Sequence, residues 1–340
     1  MRILPQTRRG KITLSALLLL LGALVASPVY FVWMPGSSFS GALQPLAAEE
    51  LEAQGRMRRH VEVLATEITK RDTRNQASLE QAAEYIRRTW TQQGFEVRDQ
   101  EYLADGLTVR NLEIEIVGAS QPEEIVLVGA HYDSAHAWPG ADDNASGVAG
   151  LLELSRSFSL SGEAPAKTLR FVAFTNEEPP HFQRETMGSL VYARRSVERG
   201  ENIVGMLSLE TIAYYSSEPG SQQYPWPLNY FYGERGNFIA FVGDTTARAF
   251  VHRTISLFRK QASFPSDGIA APTSIPGIGW SDHWSFSKCG YPAVMVTDTA
   301  PFRNPNYHRP SDTADTLDYE GLTRVVLGLE DVVRALVGSE

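Results

Sequence analysis

The feature that most constrains this chain is a set of short, almost continuous apolar runs that each end in a metal-ligand residue type. Residues 125–130 read Ile-Val-Leu-Val-Gly-Ala and lead straight into His131-Tyr132-Asp133-Ser134. Residues 169–174 lead into Asn176-Glu177-Glu178, the run around Leu207 leads into Glu210, and the run 293–297 is followed by Tyr307-His308. Runs of this length without polar alternation are strands buried on both faces, which is the condition of a largely parallel sheet covered by helices. In such sheets functional groups gather at the carboxyl ends of the strands. One His or Glu there would carry no weight, but several strand ends of this kind point to one converging site.

The remaining pattern supplies the helices. Residues 51–69 and 78–93 carry apolar positions at helical spacing, with Ala82, Ala83, Ile86 and Trp90 on one face and Gly94 as the stop. Further strands are expected at 95–102, 108–117, 206–209 and 238–242, a helix at 146–158, and a closing amphipathic helix at 319–337. The fold class is therefore α/β, a central mixed, largely parallel sheet flanked by helices.

Between the first two ligand-bearing strand ends lies Gly140-Ala141-Asp142-Asp143-Asn144-Ala145-Ser146-Gly147, which opens a helix. Zinc takes nitrogen and oxygen ligands, and a hydrolytic site keeps one position open. Two ions about 3.5–4 Å apart need a shared carboxylate and terminal ligands on each side. The candidates meet that need with His131 and Glu210 on one ion, Glu178 and His308 on the other, and Asp143 between them. Asp133, two residues past His131, is placed to fix the histidine tautomer. Glu177 stands beside a ligand yet points elsewhere, free to act as a general base. Asp142 is read as shaping the turn and His136 as solvated.

These residues bring out a family resemblance. His131-x-Asp133-Ser134, the stretch 140–147, Asn176-Glu177-Glu178, Ser281-Asp282-His283 with Phe286 and Gly290-Tyr291-Pro292, and Tyr307-His308 with Asp312-Thr313 and Asp315-Thr316 together resemble the M28 family of zinc peptidases. The resemblance implies the zinc-aminopeptidase fold and two Zn²⁺ per chain. It implies His131, Asp143, Glu178, Glu210 and His308 as ligands, Glu177 as the base with Asp133 in support, and a peptide or amino-acid amide as substrate. Glu210 departs from the family pattern, which usually has Asp there. Tyr307, His181 and His283 are candidates for the substrate pocket. The aromatic stretch 224–232 has two readings, a packed loop or a pocket wall. Alternative functions are a glutaminyl-cyclase-like single-zinc acyltransferase and a catalytically inactive receptor-like binding domain.

Charge and cysteine content narrow the partners. The net charge is −9 with a pI near 5.4 and no basic block follows the N-terminus, so nucleic acid is not expected as a partner. The single cysteine, Cys289, excludes an intrachain disulfide and a cysteine-built zinc site. Residues 12–34 carry no charge and would span about 34 Å as a helix, enough for a hydrocarbon core of about 30 Å. Arg2, Arg8, Arg9 and Lys11 precede this run and no basic residue follows it until Arg56. The expectation is a basic cytoplasmic tail (1–11), a single-pass anchor (12–34), a Gly/Ser-rich linker (35–50) and a peptidase domain (51–340) outside the cytoplasm. The rival reading of the run is a cleaved signal peptide. Nothing in the sequence indicates the oligomeric state.

Overall fold

The computed structural model describes residues 7–9, 11–15, 29–162 and 164–338. Among them one eight-stranded sheet runs through the chain: β1 (Arg98–Ala104), β2 (Leu107–Ile116), β3 (Gln121–His131), β4 (Lys167–Phe174), β5 (Asn202–Glu210), β6 (Ile239–Gly243), β7 (Ser266–Ala270) and β8 (Ala293–Thr297). The strand order is β1-β2-β4-β3-β5-β8-β6-β7. β4, β3, β5 and β8 run parallel to one another at the centre. The β1–β2 hairpin joins antiparallel on one side, and the parallel pair β6–β7 joins antiparallel to β8 on the other. The sheet is thus mixed, and the four parallel strands are the ones whose sequences read as continuous apolar runs.

Helices cover both faces. Helices α1 (Ala48–Glu62), α2 (Gln76–Gln92), α3 (Gly147–Ser161), α5 (Arg248–Gln261) and α7 (Tyr319–Val337) pack with one face into the larger core, where Trp90, Leu151, Phe258 and Leu329 are fully or almost fully buried. On the other face α4 (Gly188–Glu198) and α6 (His283–Lys288) enclose an aromatic trio, Phe174, Tyr192 and Phe286, with ring centroids 5.7–6.1 Å apart. Burying three such rings supplies large apolar area and favourable edge contacts directly beneath the end of β4. The packing fixes the strand ends, and with them the side chains that follow.

The reading of residues 12–34 as a membrane anchor is corrected by the structure. Among the described residues no helix is long and apolar enough to cross a membrane. Residues 16–28 of the run lie outside the described residues. Its last residues belong to the folded domain: Phe31 and Val32 pack on the cluster that holds Leu228 and Ile269, and Met34 is buried. The Arg248 guanidinium donates to the Tyr30 carbonyl, and Arg259 donates to those of Met34, Pro35 and Gly36. With no such helix among the described residues, attachment to a membrane through a 12–34 span, and placement of the domain across it, is not supported. A cleaved leader is compatible with the structure.

One buried cation was invisible in the sequence. Arg71 is fully buried and donates to the carbonyls of Leu64, Tyr132, Pro139 and Gly140. It ties the turn after helix α1 to the loop that follows β3. Arg71→Met should leave these acceptors unpaired and cost at least about 3 kcal/mol, since each buried acceptor left alone costs about 1–3 kcal/mol. Urea unfolding would show the loss as a lower midpoint, and an unchanged midpoint would contradict it.

Candidate metal centre

Register places the candidate ligands. His131 is the last residue of β3, level with Phe174 at the end of β4. Gly129 pairs with Ser208 on β5, so His131 and Glu210, each two residues on, end neighbouring parallel strands. Turns out of the strands then use left-handed backbone at non-glycine residues: Asn176 (φ 58°) just before Glu177, Thr211 (φ 45°) just after Glu210, and His308 itself (φ 52°). Each such residue costs about 1–3 kcal/mol and persists only where its surroundings over-determine it. Asn144 supplies that constraint beside Glu210: its side-chain amide donates to the Leu209 carbonyl and its oxygen accepts from the Thr211 N–H. Gly140 (φ +59°) opens the loop to Asp143, where an added Cβ would lie 2.3 Å from the Asp143 carbonyl oxygen.

The five proposed ligands form two groups that share one member, His131–Asp143–Glu210 and Asp143–Glu178–His308. His131 Nε2 lies 3.4 Å from Asp143 Oδ1 and 3.3 Å from Glu210 Oε2. His308 Nε2 lies 3.0 Å from Asp143 Oδ2 and 3.3 Å from Glu178 Oε2. The two oxygens of Asp143 therefore face two different histidines. Although these approaches are short, His131 Nε2, His308 Nε2 and Glu178 Oε1 are buried with no hydrogen-bond partner. Buried polar atoms are normally satisfied. Ligand atoms that converge without bonding one another are what a cation between them requires, so the residues fit a pair of metal ions.

The electrostatics point the same way. Burial pushes the Glu178 carboxyl up to about 8, with Asp143 adding to the shift and His308 opposing it. Burial likewise raises Glu177 well above the usual range. Burial also works to raise Asp143, but the two histidines outweigh it and hold its carboxyl below the usual range. Burial works to lower His308, and Asp143 and Glu178 overcome it to raise the imidazole to about 11. Several carboxyl groups buried together are costly without compensating positive charge, and divalent cations supply it.

The groups around the ligands are held in turn. Asp133 accepts from the backbone N–H groups of Glu177 and Glu178, at 3.1 and 3.0 Å, so it fixes the peptide that carries both. Its Oδ1 is 3.5 Å from His131 Nδ1, which is buried with no hydrogen-bond partner, so the expected bond that fixes the histidine tautomer is not formed. Asp312 accepts from the N–H groups of Asp142 and Asp143, at 2.9 and 3.2 Å. Asp142 accepts from the Ala213 N–H and the Asn304 amide, which fastens the turn as its place in the sequence suggests. Glu210 is held by Ser281, whose hydroxyl donates to Oε2 at 2.7 Å. Asp312 and Ser281 sit inside the quoted motifs, but nothing in their spacing shows what they hold.

Of the three pocket candidates, Tyr307 lines a cleft beside the centre and stacks on His308, with centroids 4.0 Å apart and planes at 13°. His181 is buried elsewhere, its ring nitrogens beside the hydroxyls of Thr73 and Thr186. His283 is buried against the Ile278 carbonyl at 2.7 Å, which anchors a residue of the cleft wall. The aromatic stretch proves to be a wall: Tyr224, Pro225, Leu228 and Tyr232 line the cleft, which also touches Glu210.

Residues 111–333 match the model of peptidase family M28. The chain belongs to peptidase family M28. The membership makes it a hydrolase of the peptidase class. It is 39% identical to the uncharacterized protein YfbL of Escherichia coli, over 79% of this chain and 84% of that one. It is 27% identical to a probable leucine aminopeptidase of Arthroderma otae, over 60% of this chain and 52% of that protein, so it spans about half the length of that relative. In fold it is similar to the LapA aminopeptidase of Legionella pneumophila, with a TM-score of 0.67 at 16% identity, covering 88% of this chain and 78% of LapA. It is also similar in fold to the glutaminyl cyclase of Tannerella forsythia, with a TM-score of 0.59 at 21% identity over 84% and 98% of the two chains. M28 membership implies zinc as the metal of this centre.

The Ser281 contact carries a prediction about the departure at Glu210. The longer side chain has more rotamer freedom to lose on binding metal, and the serine hydroxyl removes part of that freedom beforehand. Ser281→Ala should weaken the hold on the ion shared by His131 and Glu210 about 10- to 100-fold, as loss of a supporting hydrogen bond does at other metal sites. Competition with a chromophoric chelator measures this, and equal affinity in both proteins would contradict it.

Proposed function

We propose that this M28 peptidase binds two zinc ions and removes the N-terminal residue from peptides or amino-acid amides, and that its peptidase domain comprises the expected 51–340 together with the residues from 29 onward that pack on it. The observation that carries the reading is the shared carboxylate: Asp143 turns one oxygen toward His131 and the other toward His308. His131 and Glu210 would hold one ion and Glu178 and His308 the other. Bound zinc would polarise the scissile carbonyl and lower the pKa of water at the centre.

The protein's own groups do the rest. Glu177 Oε2 is 3.9 Å from His131 Nε2, within the cluster but in neither ligand group. It is the base that takes a proton from the attacking water and returns it to the leaving amine. Burial, which makes its carboxyl a weaker acid, suits a group that must both accept and release a proton near neutral pH. Asp133 holds the backbone that carries Glu177 and Glu178 through its two accepted hydrogen bonds. The apolar walls of the cleft exclude water around the side chain of the bound residue.

The cyclase-like reading is favoured by fold similarity alone, whereas the full five-ligand set favours two ions. Metal analysis joined to assays on free-amine and N-blocked aminoacyl amides separates them. We expect two zinc per chain, hydrolysis of the free-amine substrates, none of the blocked ones, and loss of activity with chelator. One zinc per chain, with cyclisation of N-terminal glutaminyl peptides and no hydrolysis, would overturn the reading.

A further inference from the structure

We propose that the cleft beside the metal centre receives the side chain of the substrate's N-terminal residue and that Asp267 selects a basic one, lysine or arginine. This rests on the aminopeptidase reading and adds the substrate class to it.

The sheet itself aligns the two sites. Glu210 pairs with Thr297, Thr297 with Ala240, and Ala240 with Asp267. Directly paired residues share a face, so these four form one row across β5, β8, β6 and β7. At about 4.8 Å per strand the backbone of Asp267 is roughly 14 Å from that of Glu210. A peptide with its scissile carbonyl at the centre projects its first side chain along this row. An extended lysine stem reaches about 6 Å from Cα, and the bond to the carbonyl carbon with a hydrogen bond at the tip brings the total to about 11 Å. The difference is within the reach of the Asp267 side chain.

The chemistry of the cleft matches such a residue. It encloses about 750 Å³, part of it open to solvent, and Val242, Ile269 and Met295 from the same sheet face line it together with Asp267. Among the described residues no hydrogen bond reaches either Asp267 oxygen. The nearest cation, Arg259 Nη2, is 3.9 Å from Oδ1, and its own donors go to Ser266 and to the carbonyls of residues 34–36. The side chain of Asp267 is 38% exposed, open to the cleft. Arg303, the other cation near the cleft, donates to Gln222, Tyr214 and Phe238. A lysine or arginine would lay its apolar stem along the walls and place its charge on the carboxylate. A leucine would bury Asp267 further with nothing in return, which is unfavourable for a charged group. Burial already pushes the Asp267 carboxyl up to about 6, a cost that a cationic ligand would relieve.

The test uses the full zinc-supplied chain and two free amino acids of nearly equal length, L-lysine and L-norleucine, titrated calorimetrically against the parent and Asp267→Asn. We expect the parent to bind lysine at least about tenfold more tightly than norleucine, and the variant to lose that preference while norleucine affinity changes less than about threefold. Norleucine affinity reports that the cleft of the variant is intact. A parent that binds norleucine as tightly as lysine, no binding of lysine, or an unchanged ratio in the variant would each overturn the inference. Parallel assays on lysine and norleucine amides keep the two readings apart. Asp267-dependent lysine binding without hydrolysis of either amide would sink the aminopeptidase reading and leave only the selection of a basic side chain by Asp267 standing. Hydrolysis of both amides with no lysine preference would do the reverse.

Discussion

Glu177→Gln is expected to retain its full complement of zinc and to lose at least about a hundredfold in turnover. A positioned general base typically contributes about 10² to 10⁴, and in the proposed reading Glu177 is that base and not a ligand. The amide keeps the volume and can still accept a hydrogen bond, so the packing around it should survive. The Asp133 contacts are to backbone N–H groups, which the substitution does not touch. Metal analysis and steady-state kinetics on the same preparation decide the matter. A variant that keeps most of its turnover removes Glu177 from its role, and one that loses metal as well as activity makes it a ligand.

The second large effect is expected at Asp143. Because its two oxygens face different histidines, Asp143→Ala should weaken both ions together, whereas His131→Ala or His308→Ala should weaken one more than the other. Activity should fall to background in Asp143→Ala at metal concentrations that saturate the parent. Saturating zinc stabilises only the form that binds it, by about 4 kcal/mol at a thousand times Kd, so the parent should melt higher on adding zinc and the variant should not. Two tightly held ions in Asp143→Ala would refute the bridging assignment.

Three of the proposed ligands, His131, Glu178 and Glu210, were legible in the sequence because they sit at or just after the end of a buried apolar run, whereas Asp143 stands in the loop 140–147 and His308 eleven residues past β8. What could not be read was the set of groups that hold the ligands by backbone contacts. Arg71 lies in Lys70-Arg71-Asp72, which looks like a solvated turn, and only the folded chain shows four carbonyls converging on it. Strand β7, Ser-Asp-Gly-Ile-Ala, has neither alternation nor an apolar run. It is recruited by pairing with β6, and so Asp267 escaped notice. Residues 29–34 misled for the opposite reason. Their apolar side chains suit lipid and a protein surface equally, and hydropathy does not distinguish the two destinations.

The division of labour across the sheet has an evolutionary corollary. The proposed metal ligands stand on β3, β4, β5 and β8 and the loops that follow them, while most of the cleft wall comes from β6, β7 and the segments around residues 224–232 and 276–280. Mutations in the second group can reshape which side chain is admitted without moving a ligand. Paralogues of this chain should therefore diverge first in diet and last in reaction, with sequence drift concentrated at the β6–β7 edge.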